Sequence, residues 1–461
     1  MPATRKEERS MSSQDCIRDL GDGGRPAGRG IAELLRVYMP GTLMPHLRLL
    51  FYALLCGLLS GLGGLSLALL LHAIQHIAFT YSPGEIIGSE SFLQGVSAAT
   101  AERRILILCI CGLVAGLGWY SLARYGRPLR SVNAVAKGAR LPLLETAVHA
   151  LLQVVTVALG SPLGREVAPR EVGALLAQRL LSGAALAPEQ CRLLLSCGAG
   201  AGLAAVYDVP VAGTVFILEV VMKQARIAVI WPAAVASFTA AIVARSALGD
   251  APQYLIPDHH VTLTLVVVSA LLGPFFSGLG AAFRRLTASV TRDASPSLRG
   301  IFYALAAFAF IGLLAAKVPA LLGNGRGPAE LAFSQEISLQ AVACLVVMKL
   351  VAIGLALRVG AKGGLLTPGF AIGALIGLLA GGSLAVWFPA VEPGALALIG
   401  GTSFLAASML MPITAVCLVM EFTNAPLDMV IPIAAATIMG ELCRPWIRRG
   451  IAPLRIKFAV T

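Results

Sequence analysis

Six long apolar stretches, at 47–72, 105–122, 227–248, 261–282, 301–316 and 339–357, constrain this chain more than anything else in it. A bilayer core takes about 20 apolar residues per spanning helix. Only 13% of the residues are charged, against about a quarter in soluble chains. A water-soluble fold would have to hide all six runs with almost no charged surface to cover them. The fold class is therefore an all-α integral membrane protein, with membrane lipid as its solvent. The frequent glycines suit transmembrane helices that pack closely.

The net charge of +12 does not point to nucleic acid. Arg and Lys sit in short loops and at the termini, where they hold a loop in the cytoplasm. No basic stripe interleaves with aromatics, so no nucleic-acid partner is expected. The nine cysteines lie mostly inside apolar runs and read as reduced core residues, without zinc spacing. The six histidines form no cluster with carboxylates at metal-ligand spacing, so neither metal nor cofactor is expected. Residues 1–34 are polar and Arg-rich and read as a cytoplasmic tail rather than a secretory signal. The membrane domain is placed at 35–455 and a cytoplasmic end at 456–461.

Loop charges give an orientation. The loop at 81–100 carries Glu85 and Glu90 and no basic residue, so it faces outside. Arg127, Arg130, Lys137 and Arg140 place the next loop inside. The loop at 249–260 is acidic and faces outside; Arg284, Arg285, Arg292 and Arg299 face inside. Arg444, Arg448, Arg449, Arg455 and Lys457 keep the C-terminus inside. Both termini are thus cytoplasmic, and the inner membrane of a cell is the expected location.

The chain also repeats itself. Gly160-Ser-Pro-Leu-Gly164-Arg165-Glu166, leading into Gly173-Ala174-Leu175, matches Gly360-Ala-Lys-Gly-Gly364-Leu365-Leu366, leading into Gly373-Ala374-Leu375. Ala204-Ala205 with Pro210 and Glu219 echoes Ala406-Ala407 with Pro412 and Glu421, proline preceding glutamate by nine residues each time. The first half, about 35–250, starts inside and ends outside; the second, about 255–455, does the reverse. That is an inverted repeat, whose substrate site is expected near the midplane between the halves.

Charged and Gly-rich segments at 161–180 and 360–380 should start helices within the membrane, their irregular backbone lining a wet cavity. A helix start presents unpaired N–H groups and partial positive charge. Two such starts together hold an anion without a full cation, which permits release. Gly164, Arg165, Val167, Leu365 and Leu366 are the expected anion-binding positions. Glu166 would compete with the anion for those N–H groups, and protonation would release it. Arg165 and Arg170 are expected to orient the segment or pair with carboxylates.

These segments resemble the CLC family of chloride channels and proton/chloride antiporters, of the prokaryotic type without C-terminal regulatory domains. The stretch from Cys197 to Glu219 looks like the family's most recognisable one, and that from Leu405 to Glu421 like its counterpart in the second half. Gly164-Arg165-Glu166 matches the start of the family's GREGP signature, and Gly363-Gly364-Leu365-Leu366-Thr367-Pro368 is similar to GGxFxP. The resemblance implies many tilted and broken helices in an inverted repeat, a homodimer with a pore in each subunit, and Glu166 as the external gate. Parts of Ala187–Leu203 and Leu405–Leu418, rich in small residues, are expected at the dimer contact.

The chain departs from the family in places. Val167 and Ala168 follow Glu166, where the family has Gly-Pro. The GSGIP signature is not intact; its region carries Leu129, Arg130 and Ser131, with Ser131 fitting only in a shifted register. The family's central-site tyrosine falls at Ile447, and the internal proton glutamate of many antiporters at Val220. These changes favour a channel-like or weakly proton-coupled transporter of chloride or a similar anion, with weak anion affinity, over a stoichiometric antiporter. Glu219, one residue from Val220 and so about 100° around an α-helix, is a poor substitute. An intramembrane enzyme would need a nucleophile–base pair. Ser161 and His149 are the nearest polar candidates, but the sequence offers no orienting carboxylate, and no enzyme activity is expected. A receptor or scaffold would need no buried carboxylate at a helix start.

Overall fold

A computed structural model describes residues 44–80, 91–135, 138–292 and 297–450. The tail 1–34, the end 456–461, Glu85, Glu90, Lys137, Arg455 and Lys457 lie outside the described residues. The described residues form helices, joined at one point by an antiparallel bridge between Gly164 and Gly364. Seven helices are long and apolar enough to cross a membrane. Six of them coincide with the six sequence stretches, the fourth starting at Leu263 rather than at 261, and Leu366–Leu384 is the seventh.

In chain order the first half runs α1 (Met44–Phe79), α2 (Phe92–Ala98), α3 (Ala101–Tyr125), α4 (Val132–Val135), α5 (Leu143–Ala158), α6 (Val167–Leu181), α7 (Pro188–Tyr207), α8 (Pro210–Phe216) and α9 (Ile227–Leu248). The second half runs α10 (Leu263–Arg292), α11 (Leu298–Lys317), α12 (Arg326–Ser334), α13 (Leu339–Arg358), α14 (Leu366–Leu384), α15 (Pro393–Met409), α16 (Pro412–Thr423) and α17 (Val430–Gly450). Apolar side chains such as Leu62, Leu106, Ile242, Leu271 and Leu313 remain exposed along the spanning helices, as lipid contact requires.

The two halves break their helices at matching places. α6 and α14 each carry a proline third in the helix, Pro169 and Pro368. That early in a helix the missing N–H forfeits no intrahelical bond. α7 stops at Asp208 (φ 53°) and α15 at Leu410 (φ 58°), each two residues before the proline that starts the next helix. A left-handed non-glycine residue is uncommon, and two at equivalent positions mark one repeated break. Gly173 meets the backbone of Gly198 where α6 crosses α7, and Gly373 meets that of Gly400 where α14 crosses α15. A Cβ at either pair would run into the facing backbone, so only glycine allows the approach.

Pro210, Pro412, Glu219 and Glu421 interlock the halves. Glu421 accepts from the N–H groups of Val211 (2.8 Å) and Ala212 (2.7 Å) at the start of α8. Glu219 accepts from the N–H groups of Ile413 (3.0 Å) and Thr414 (2.7 Å) and from the Thr414 hydroxyl (2.6 Å) at the start of α16. Each half thus satisfies the orphan donors of the other with a carboxylate, which also complements the positive helix end.

Two sequence expectations need correction. Most small residues of 187–203 are not free for a partner subunit: from Ser196 to Tyr207 every residue of α7 is buried within the protomer, packed on α1, α6 and α9, while Ala187, Pro188 and Glu189 are exposed. Of 405–418, Leu410 and Ile413 are the exposed apolar side chains. The turn after α8, Ile217–Met222, is π-helical, so the α-helical angle between Glu219 and Val220 does not apply. Glu219 is instead committed to α16.

Candidate functional site

The chain approaches α6 and α14 through Gly160–Gly164 and Gly360–Gly364. Gly164 and Gly364 exchange both backbone hydrogen bonds at 2.8 Å, which fixes the two helix starts side by side. Glu166 caps no N–H of its own helix. Its side chain crosses to the other half, where Oε1 accepts from the N–H of Leu366 at 2.6 Å. Leu366 is the residue that matches Glu166 in the repeat, so each half contributes one side of the same contact. The Glu166 side chain is fully buried. A Cβ on Gly164 or Gly364 would collide with its carboxylate; the two glycines make its room.

The second oxygen, Oε2, faces two hydroxyls, that of Tyr207 at 3.4 Å and that of Thr367 at 3.5 Å. Tyr207 ends α7 and is held from both sides. Its ring lies 5.1 Å from that of Phe422, within a buried group that includes Tyr254 and Phe370. The Arg165 guanidinium lies over its other neighbourhood, 5.2 Å from the ring centroid. Arg165 also donates to Gln253 at 3.4 Å, while its Nε is buried without a partner. Arg170 donates to the backbone carbonyl of Glu166 at 2.7 Å and lies 5.3 Å from the Phe216 ring centroid. Both arginines therefore orient the segment, and neither pairs with a carboxylate in a salt bridge.

Two cavities are lined by residues next to this site. One of about 240 Å³ is lined by Tyr207, Asp208, Arg245, Asp250, Gln253 and Glu421. Another of about 420 Å³ is lined by Phe283, Arg284, Thr287, Leu365, Ser408 and Met409. Tyr207 touches Glu166 from the first, and Leu365 adjoins Leu366 on the second. Glu166 is linked to the first through Tyr207 and to the second through Leu366, the neighbour of Leu365.

Gly164, Arg165, Glu166, Val167, Leu365 and Leu366 are thus brought together. Leu129, Arg130 and Ser131 are exposed, ahead of α4, and the Ser131 hydroxyl accepts from the N–H of Ala134 at 3.2 Å. Ile447 lies near the end of α17, which packs on α10, α15 and α16. No hydrogen bond or ring contact joins these four residues to Glu166. Val220 sits in the π-helical turn and lines a cavity of about 1090 Å³ with Arg192, Lys223 and Arg226.

Sequence reasoning missed Tyr207, Thr367 and Glu171. Glu171 answers the absence of a carboxylate beside His149: its Oε2 lies 2.8 Å from His149 Nδ1, and Gln153 Nε2 lies 2.9 Å from that nitrogen and 3.1 Å from Glu171. The cluster is buried and holds no hydroxyl or thiol. Ser161 lies outside it, its N–H donating to Thr156 at 3.0 Å. Among the described residues no group of His, Cys, Asp and Glu could hold a metal ion.

Broken helices whose starts meet at a buried carboxylate inside an inverted repeat define a membrane transporter of small anions. The chain belongs to the voltage gated chloride channel family, whose pattern it matches over residues 111–444, and it is an anion-transport protein. It is 28% identical over 359 residues to the voltage-gated ClC-type chloride channel ClcB of Escherichia coli O9:H4 (strain HS), covering 73% of this chain and 82% of that one. The ClcB of Shigella flexneri is 29% identical over 360 residues, with the same shares covered. Among solved structures, a slow cyanobacterial Cl-/H+ antiporter superposes with a TM-score of 0.72 at 20% identity, over 88% of this chain and 99% of that one. A CLC-type fluoride/proton antiporter does so with 0.66 at 21%, over 87% and 98%. These likenesses show the fold.

Proposed function

We propose that this protein carries chloride or a similar small anion across the inner membrane of the cell, by one pore in each subunit of a homodimer, with Glu166 as the gate. The observation that carries this reading is the bond from the Leu366 N–H to the Glu166 carboxylate. A carboxylate fully buried at membrane depth is costly. Here it occupies a place built to hold negative charge, linked through Tyr207 and Leu366 to two cavities that an ion would have to join. With ionised Glu166 in place the path is blocked; protonation removes the charge that holds it, and an anion takes its position. By the loop charges, both termini are cytoplasmic, the cavity at Asp250 is the outer one and that at Arg284 the inner one.

Transport is channel-like or weakly proton-coupled. Val220 offers no carboxylate at the family's internal proton position, Glu219 is consumed in holding α16, and Ile447 supplies no hydroxyl. The ClcB relatives are named as channels and favour the same reading, whereas the solved Cl-/H+ and fluoride/proton antiporters have a similar fold. The dimer contact is the exposed apolar surface where α8 and α16 meet, at Val211, Leu410 and Ile413. Reversal potentials of the purified protein in bilayers, under combined chloride and pH gradients, test the coupling. We expect a value close to the chloride equilibrium potential. A shift that tracks the proton gradient with a fixed stoichiometry would restore the antiporter.

A further inference from the structure

We propose that the Tyr207 and Thr367 hydroxyls are anion ligands and that, with the Leu366 N–H, they size the site for chloride rather than fluoride. The proposal rests on the reading of Glu166 as the occupant of the anion path. In the closed site the carboxylate stands in for the transported ion, so the donors around it are the donors the ion meets. They are unevenly placed. Leu366 N–H lies close to Oε1, at 2.6 Å. The two hydroxyls lie 3.4 Å and 3.5 Å from Oε2, well beyond the usual O–H···O distance of about 2.7–2.8 Å.

The carboxylate is two oxygens wide, and its donors divide between them, the N–H at Oε1 and the two hydroxyls at Oε2. A single ion replacing both oxygens must be wider than one oxygen to reach the N–H and the hydroxyls together. Chloride is; fluoride is close to the size of one oxygen and would satisfy one side at a time. The side chains that carry the hydroxyls are both buried. Tyr207 is fixed among Phe422, Tyr254 and Phe370 with Arg165 beside it, and is buried. Thr367 is buried in the first turn of α14. Ser131 spends its hydroxyl on the Ala134 N–H, away from Glu166, and Ile447 has none; two other residues supply hydroxyls at the gate itself.

The test uses the full-length protein with Glu166→Ala, which opens the site, and adds Tyr207→Phe, Thr367→Val or Thr367→Ser. Chloride and fluoride binding are measured by calorimetry, and flux in proteoliposomes. Loss of one hydrogen bond to a charged partner should weaken chloride binding about tenfold in Tyr207→Phe and in Thr367→Val. Fluoride binding should hardly change, and Thr367→Ser, which keeps the hydroxyl, should retain the chloride preference. Intact flux in Glu166→Ala, with chloride binding unmoved by Tyr207→Phe and Thr367→Val, would overturn the ligand assignment and leave the gate standing. Equal weakening for both anions would overturn the size argument. Absence of flux in a folded Glu166→Ala protein would take both readings down.

Discussion

The two helix starts that meet at Gly164 and Gly364 share a backbone and differ in chemistry. Both come off a glycine turn, both carry proline third in the helix, and both cross a neighbour at a glycine pair. The first half supplies Arg165, Glu166 and Glu171; at the matching positions the second has Leu365, Leu366 and Ala371. The helices before them differ likewise. His149 meets Glu171 at 2.8 Å. Its counterpart Lys349, fully buried, donates to the carbonyls of Leu321 (2.8 Å) and Gly323 (2.6 Å). Gly323 in turn donates to Gly160 at 3.1 Å, so this lysine braces the approach to the opposite half.

The lesson is a division of labour. Repeat symmetry places the two helix starts against one another, and in the proposed reading their N–H groups make a site for negative charge of either origin. Only one half adds carboxylates, so the site can be filled by the protein itself, from one side. Had both halves carried a glutamate, two like charges would face each other across the bridge, at a cost in a medium of low dielectric.

The symmetric part is the easiest to break. Glu219→Ala leaves two N–H groups and a hydroxyl at the start of α16 without partners, and Glu421→Ala leaves two N–H groups at the start of α8. At about 1 kcal/mol per donor left without its carboxylate, the low end because Val211 and Ile413 are exposed, we expect losses of about 3 and about 2 kcal/mol, read by thermal unfolding in detergent. Equal and negligible losses would mean that the interlock does not hold the halves together. An effect of similar size is expected from Gly173→Ala and Gly373→Ala. Overpacking costs about 1–3 kcal/mol, and since the crossings are alike, the two variants should lose similar stability. A loss in only one would show that the repeat is a resemblance of sequence more than of packing.

How much of this was legible follows from how far each signal travels along the chain. Hydropathy is local, so the spanning helices could be read directly. The glycines and prolines before α6 and α14 are local too, and they located both helix starts and Glu166. The nine-residue spacing from proline to glutamate was visible at Glu219 and Glu421, but not that each carboxylate serves the other half. Tyr207 and Thr367 have no local mark. Tyr207 lies 41 residues from Glu166 and Thr367 lies 201 from it, and their meeting depends on how α6, α7 and α14 cross. The only hint was a tyrosine directly ahead of a helix break. Glu171, a carboxylate in an apolar helix, did carry a signal, since such a group needs a partner; that the partner is His149 required the packing of α5 on α6. The π-helical turn at Ile217–Met222 has no signature in its residues.

The central claim is that the Glu166 carboxylate holds the place of the transported anion. Anion efflux from proteoliposomes, followed across external pH for the unaltered protein, Glu166→Gln and Glu166→Ala, tests it most directly. If the proposed gate operates, a Glu166 without its charge leaves the Leu366 N–H, so efflux through the unaltered protein should rise as external pH falls. Both variants should conduct at least as well, with little dependence on pH, because neither can carry the charge that closes the path. Loss of efflux in well-folded Glu166→Ala, or a pH dependence that survives in Glu166→Gln, would contradict the account.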